Sequence, residues 1–186
     1  MITKVTIAKQ VMLLLALAGL AACYTFLGGS GFMDTSRAFN KASDYAKKAI
    51  RIDESDAETH LALASSSFWC DWDFESCGNS VRDAVRLSPG TSAIHGFNSL
   101  YLMATGRLEE AFIEARLATK LDPLSPKSKF HLGELFYRSK KYLDAIEVFD
   151  EILSEHPFYN QASIFKGWSK FFLGDTKSAV NIFSRI

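Results

Sequence analysis

The chain has 186 residues, of which 48% are hydrophobic and 23% are charged, a composition that supports a substantial core and argues against disorder. Its 21 Lys and Arg residues balance 21 Asp and Glu residues, so no bulk charge attracts the chain to nucleic acid or to an anionic membrane. Three cysteines cannot pair completely and are too few for a disulfide scaffold, which favours reduced thiols in a cytosolic protein.

One interval organises the chain. Pro89, Pro123 and Pro157 follow one another every 34 residues, and each closes a stretch of helical character. A unit of this length cannot bury its own apolar side, so it indicates a helix-turn-helix repeat that stacks on its neighbours. The interval predicts a single all-α domain, residues 1–186, with units at residues 14–54, 57–89, 92–123, 126–157 and 160–186, the last of them incomplete.

The first unit carries an insertion. Tyr24 and Gly28 match a first helix, and about nine extra residues fall between Gly29 and Arg37. The sequence Gly28-Gly29-Ser30-Gly31 is interpreted as a flexible loop rather than a phosphate cradle, because no Lys-Ser/Thr pair follows it.

The same segment allows two other interpretations. Lys4 and Lys9 precede an apolar run that ends in Leu20-Ala21-Ala22-Cys23, the pattern of a lipoprotein signal that is cleaved before a lipidated cysteine. A membrane-spanning helix over Val11–Leu27 is the third choice. We favour a first repeat helix over Leu17–Leu27, and with it a cytoplasmic location, because the repeat register continues beyond the cleavage point.

Later units show turns and caps at matching positions. The unit at 57–89 has one extra residue near Asp71-Trp72-Asp73, which predicts a lengthened turn. Gly106 and Gly174 are expected to adopt the left-handed conformation that ends a helix, and Lys140-Lys141 marks the equivalent turn.

Local signals also mark the starts of helices. Ser55 and Glu58 have the spacing of a capping box, and Ser125 before Pro126 predicts an N-cap. Paired helices can approach each other closely only where a small residue faces the partner helix. The tightest contacts are predicted at Ala111, Gly133 and Ala145.

These residues resemble the tetratricopeptide repeat (TPR) family. The resemblance covers nearly the whole chain and is strongest at Leu132, Gly133, Phe136, Tyr142, Ala145, Phe149 and Pro157. It implies a right-handed α-solenoid of stacked antiparallel helix pairs, with four to five repeats and a concave binding surface lined by the first helices.

A second resemblance concerns one turn. The turn Trp69-Cys70-Asp71-Trp72-Asp73-Phe74 resembles repeats appended to bacterial signalling proteins, including cyclases and winged-helix regulators. This resemblance implies a regulatory role exercised through a parent chain or a partner.

The repeat register predicts a partner-binding surface from the first helices. The candidates are mostly apolar, with a few charged residues to orient a ligand, although an aromatic residue at helical spacing is more often buried between repeats than exposed. They are Leu61, Phe68, Trp69, Leu100, Met103, Lys127, Phe130, Glu134, Tyr137, Arg138, Trp168, Phe171 and Phe172.

Catalytic signals are weak. No nucleophile elbow, phosphate loop or paired-histidine metal motif is present in the sequence. Cys70 and Cys77 lack the short spacing of a zinc knuckle, and His131 is more readily a packing residue than a ligand. No catalytic residue, cofactor or metal is therefore predicted.

The sequence favours a non-enzymatic scaffold that binds a protein or peptide, as a regulatory fragment of a larger signalling protein. The alternative is a lipid-anchored lipoprotein of a bacterial envelope assembly, with a membrane involved only if Cys23 is lipidated. Self-association through the incomplete last repeat is also expected.

Overall fold

The computed structural model describes residues 4–186, with side chains from Ala8 onward. Residues 1–3, where the predicted signal segment begins, lie outside the described residues. The described part of the chain forms ten α-helices and one π-helical turn, so the predicted all-α class is confirmed. The elements are α1 (Lys4–Gly29), α2 (Thr35–Ile50), α3 (Ala57–Ser66), the π-helical turn (Ser67–Asp71), α4 (Phe74–Leu87), α5 (Ser92–Ala104), α6 (Leu108–Leu121), α7 (Pro126–Arg138), α8 (Tyr142–Glu155), α9 (Asn160–Phe172) and α10 (Thr176–Phe183).

The helices fall into two compact units, one that runs to Phe97 and one over Asn98–Ile186. In the first unit α2 packs against α1 and α3, and α3 packs against α4. In the second unit each helix from α6 to α10 packs against the next. Because the connections are short, consecutive helices run antiparallel, and the predicted antiparallel pairing is confirmed.

Small residues set the distance between paired helices. A Cβ atom added to Gly133 of α7 would lie 2.6 Å from Cε1 of Phe149 in α8, and one added to Gly167 of α9 would lie 2.6 Å from Cε1 of Phe183 in α10. Ala145 is fully buried as well. The predicted close contact at Gly133 is confirmed, and it recurs 34 residues later at Gly167.

A left-handed residue ends the first helix of successive pairs. The φ angles are 53° at Trp72, 79° at Gly106, 60° at Lys140 and 87° at Gly174, and these four residues are spaced 34 apart. The prediction for the two glycines is confirmed. Trp72 and Lys140 hold the same conformation against the steric preference of their side chains.

The extra residue of the unit at 57–89 does not lengthen its turn, so that prediction is wrong. Trp72 keeps the 34-residue spacing to Gly106, and the extra residue is absorbed inside the helix as the π-helical turn. Here the backbone N–H of Trp72 donates to the carbonyl of Ser67, five residues earlier. A π-helical turn accommodates one additional residue without breaking the helix.

The insertion in the first repeat mostly lengthens its two helices, because Gly28 and Gly29 belong to α1 and only residues 30–34 form the connecting loop. α1 continues to Gly29 and α2 begins at Thr35, so the pair is longer than its successors. Gly28 makes this extension possible, because a Cβ atom there would lie 2.9 Å from Cβ of Ala38. Because Gly28 has no side chain, α1 and α2 can lie side by side here and pack along a greater length.

Capping residues define where the helices begin. Asp56 caps α3 by accepting from the N–H of Thr59 at 3.0 Å, so the capping box predicted at Ser55 is wrong. The predicted cap of α7 is confirmed, because Ser125 Oγ accepts from the N–H of Ser128.

An ion pair between an enclosed lysine of α7 and two half-exposed glutamates of α8 was not predicted from the sequence. Lys129 Nζ lies 2.7 Å from Glu151 Oε1 and 3.2 Å from Glu155 Oε2, while the lysine stem is enclosed. The hydrogen bond to Glu151 is the main reason that the pKa of Lys129 lies above its ordinary value.

The left-handed turn gives a matched pair of glycine substitutions. Lys140→Gly should raise the free energy of unfolding by about 1 kcal/mol, because glycine adopts a φ of 60° without steric strain. Lys141→Gly, with φ at −85°, should leave stability unchanged or lower it by about 0.5–1 kcal/mol. Urea titrations of both variants test this, and an equal effect of the two substitutions would contradict it.

The close contact between α7 and α8 gives a second prediction. Gly133→Ala should lower the free energy of unfolding by about 1–3 kcal/mol, because the new methyl group forces the Phe149 ring to move. Gly19→Ala in α1 is the control, since its Cβ would meet no heavy atom within 4 Å, and stability should stay the same or rise by up to about 1 kcal/mol. A Gly133→Ala variant as stable as the parent would disprove the assigned contact.

Candidate protein-binding surfaces

The compact unit that runs to Phe97 presents two exposed tryptophans beside the π-helical turn. Phe68 is buried and contacts Trp69 and Phe74 edge to face, with ring centroids 4.7 and 5.6 Å apart. Trp72 is 69% exposed and touches Phe74. We call Trp69, Trp72 and Phe74 the tryptophan turn. Its rings are held by a buried neighbour while their outer faces meet solvent.

The thiols near this turn are poorly suited to nucleophilic chemistry. Burial raises the pKa of Cys77 to about 12, and burial followed by the negative charge of Asp71 raises the pKa of Cys70. Cys23, Cys70 and Cys77 are all free. Within residues 4–186 no group of three or more His, Cys, Asp or Glu side chains is arranged to hold a metal ion.

The second unit carries an exposed aromatic surface on α7, α8 and α9. Phe172 is its centre: the ring of Tyr142 stacks on it at 5.3 Å and 13°, and the rings of Tyr137 and Trp168 lie 6.2 and 6.4 Å away. Phe171 adds a further edge contact to Phe172. We call these five residues the aromatic face.

Charged groups at the margin of the aromatic face largely neutralise each other. Arg138 Nε and Nη2 donate to the same carboxylate oxygen of Glu134, at 2.8 and 2.7 Å. Glu134 is nearly enclosed, whereas half of the Arg138 side chain is exposed. Lys127 is also exposed, but it lies at the opposite end of α7 from Tyr137 and Arg138. The face is therefore apolar with a weakly basic margin.

Exposure separates the predicted binding residues into groups. Phe68 and Phe130 are core residues, and Phe130 contacts Phe149, Tyr159 and Phe165. The half-buried candidates are Leu61, Leu100, Met103 and Tyr137, Glu134 is buried in its ion pair, and the exposed candidates are Trp69, Lys127, Arg138, Trp168, Phe171 and Phe172.

The same candidates also fall into two groups according to the compact unit to which they belong. The structure brings Tyr137, Trp168, Phe171 and Phe172 together in the second unit. Leu61, Phe68 and Trp69 belong to the first unit.

Three members of these surfaces, Trp72, Phe74 and Tyr142, are not among the predicted binding residues. Tyr142 was assigned only to the repeat pattern, yet it stacks on Phe172. Trp72 was noted only as part of a turn. Its alignment with Gly106 at the 34-residue interval is the sequence signal that could have identified it, since a tryptophan at a glycine position is exposed by the turn geometry.

The histidines serve the scaffold. His60 Nε2 and His95 Nε2 each donate to a backbone carbonyl six residues earlier, that of Glu54 at 2.9 Å and that of Pro89 at 2.8 Å. His131 Nδ1 is enclosed and has no hydrogen-bond partner among the described residues. Burial, followed by the positive charge of Lys127, lowers the pKa of His131 to about 4.

Antiparallel helix pairs that recur every 34 residues, each closed by a left-handed turn, define a protein of the TPR fold. No protein-family profile matches the chain. Over 137 residues, 74% of the chain, it is 28% identical to the transcriptional regulator HilA of Salmonella typhimurium, and equally to HilA of Salmonella typhi. The matched region spans 25% of the length of each regulator.

Solved structures support the same fold. Similarity to PilF of Pseudomonas aeruginosa has a TM-score of 0.71 at 20% identity, over 91% of this chain and 76% of that one. PilW, a widely conserved type IV pilus biogenesis factor, matches with a TM-score of 0.73 at 16% identity, over 88% and 74%. YrrB, described as a TPR protein with an unusual peptide-binding site, matches with a TM-score of 0.59 at 13% identity, over 87% and 81%.

The buried imidazole makes stability depend on pH. The pKa of His131 is about 4 in the folded chain and near 6.5 when unfolded, so the unfolded state binds more protons between these values. Stability should be complete above pH 6.5 and fall by about 3 kcal/mol as the pH is lowered to 4. His131→Gln should remove this part of the pH dependence in urea titrations. If the variant kept the same dependence of stability on pH, the His131 imidazole would have to be exposed to water in the folded chain.

Proposed function

We propose that this chain is a non-catalytic interaction module that binds a protein or peptide segment on the aromatic face. The observation that carries the proposal is the cluster of partly exposed rings around Phe172, which no neighbouring helix within the described second unit covers. Exposed aromatic side chains supported from beneath are typical of binding hot spots.

The chemistry of the face indicates an apolar ligand. Its rings present broad hydrophobic area, and Glu134 already balances the charge of Arg138. An amphipathic helix, or an extended segment with apolar anchors, fits such a surface. Lys127 and the outward part of Arg138 would give the ligand direction through weak, exposed contacts. Binding should therefore depend little on salt.

A scaffold role without catalysis agrees with the side chains that could have carried chemistry. His60 and His95 are engaged with backbone carbonyls, and burial keeps Cys77 protonated. The similar protein YrrB is described as having a peptide-binding site, which supports recognition as the use of this fold.

Two kinds of protein could contain this module. Similarity to a quarter of HilA favours a regulatory region within a transcriptional or signalling protein. Similarity in fold to PilF and to the pilus biogenesis factor PilW, together with Cys23 exposed after a lipoprotein-like segment, favours an envelope assembly component. The mass of the mature chain separates them, because lipoprotein processing removes residues 1–22 and acylates Cys23.

A second copy of the chain is the competing occupant of the aromatic face. Leu173, at the end of α9, and Val180 of α10 are further exposed apolar residues of the same compact unit, so two copies could cover each other. Sedimentation across a concentration series distinguishes the two occupants, since a self-associated chain would have to dissociate before peptide binds.

Peptides selected from a displayed random library against the full chain provide the probe. Trp168→Ala/Phe172→Ala should raise the Kd of the selected peptides about tenfold or more, because the anchoring rings are lost. Ile113→Ala/Leu143→Ala is the control, since these side chains are 66% and 69% exposed in the same unit but lie outside the aromatic face. Fluorescence polarisation gives the Kd values. Equal affinities of the two double variants would move the site away from Phe172.

A further inference from the structure

The first half of α1 extends beyond the helices that enclose its second half. Between Ala8 and Leu20 no residue is buried, whereas the next residue, Ala21, is fully enclosed and packs with Ala46 and Ala62. Met12 is 71% exposed and Leu15 is 66% exposed. The apolar residues from Val11 to Leu20 therefore meet solvent around most of the helix, with only Leu14, Leu17 and Ala18 half-buried along one stripe.

The exposed segment has no polar side. Val11 to Leu20 are ten consecutive apolar or small residues, which at 3.6 residues per turn cover the whole circumference of the helix. A helix that docks in a protein groove has one apolar stripe and one polar stripe. Uniform apolarity is the property of helices surrounded by lipid or by a protein core, and burial in this fold begins only at Ala21.

Length and charge agree with lipid. The 22 residues of Ala8–Gly29 form the one helix in the described part of the chain that is long and apolar enough to cross a membrane. Lys4 and Lys9 stand at its start, and the first acidic residue of the chain is Asp34. A positive flank before an apolar helix is attracted to anionic lipid headgroups.

The packing of α2 fixes how far the segment can enter lipid. α2 runs antiparallel to α1, with Ala38 beside Gly28 and Ala46 packed with Ala21, so the last turn of α2, which carries Lys47 and Lys48, lies towards the start of α1. Lysines at this position suit the headgroups of anionic lipids. From Ala8 to Leu20 the helix rises about 18 Å, which reaches into a membrane core of about 30 Å without crossing it.

We propose that the start of α1 anchors this protein in a lipid bilayer, with residues 11–20 in the hydrocarbon and with Lys9 and the lysines of the last turn of α2, Lys47 and Lys48, at the headgroups. The helix then serves two purposes, because its last residues are the first repeat helix and its first residues are the anchor. This location differs from the cytoplasmic one expected from the sequence, and it does not depend on peptide binding by the aromatic face.

Flotation with lipid vesicles tests the anchor on the full chain. The parent should rise with phosphatidylcholine vesicles, bind more completely when phosphatidylglycerol is included, and stay bound in high salt. Met12→Asp/Leu15→Asp should lower the bound fraction about tenfold, because two charges enter the hydrocarbon. Ile113→Asp/Leu143→Asp adds the same charges at equally exposed positions and should float like the parent. Circular dichroism confirms that both variants keep their helices.

If a lipid chain on Cys23 or a second copy of the chain, rather than insertion of the helix, accounts for the exposed segment, the flotation experiment gives different outcomes. Flotation lost in Cys23→Ser, with a parent mass that begins at an acylated Cys23, would assign the anchor to a lipid chain and overturn the proposal. A parent that stays with the soluble fraction as a dimer, and becomes monomeric in Met12→Asp/Leu15→Asp, would assign the segment to a second copy and overturn it as well. Flotation unaffected by Cys23→Ser supports the helix as anchor.

Discussion

Contact between a small residue and an aromatic ring holds the helix pairs together, and the rest of the structure depends on it. At Gly133 and Gly167 the first helix of a pair lies so close to the second that the rings of Phe149 and Phe183 leave no space for a methyl group. Tyr137 of α7 lies against Tyr142 of its partner α8, and Trp168 of α9 lies against Phe183 of its partner α10, with ring centroids 5.9 and 5.3 Å apart. These contacts cover only part of each ring, and the remaining surface joins the aromatic face.

The turn imposes a second constraint on the four pairs from α3 onward. Each first helix must end in a left-handed residue before the chain can reverse within two residues, and this requirement is met even where the residue is Trp72 or Lys140. In the unit at 57–89 the constraint is strong enough that an additional residue is accommodated by the π-helical turn rather than by moving Trp72 out of register. Because Trp72 keeps its place in the turn, its side chain is held away from the packed side of the helices, and the tryptophan turn is exposed.

Two apolar surfaces of different chemistry result. The aromatic face combines flat rings with tyrosine hydroxyls and a neutralised charge pair, which suits a peptide that must be recognised. The start of α1 is aliphatic on all sides and carries Lys9 as its one charge between Ala8 and Leu20, which suits a lipid environment that needs no recognition. A protein held at a membrane by one surface and binding a partner by the other would bring that partner to the membrane.

The sequence by itself determined the repeat interval, the helix-ending turns at Gly106 and Gly174, and the small residues at which helices meet, because each depends on steric properties of one residue or its near neighbours. It could not separate Phe130 from Phe172, which are both aromatic residues of first helices. Phe130 is enclosed by Phe149 of α8 and Phe165 of α9, whereas Phe172 ends α9 beside Tyr142 with its outer side open. Tertiary structure alone decided this, and it also decided where α1 stops packing, because exposure depends on which distant helices lie against a side chain.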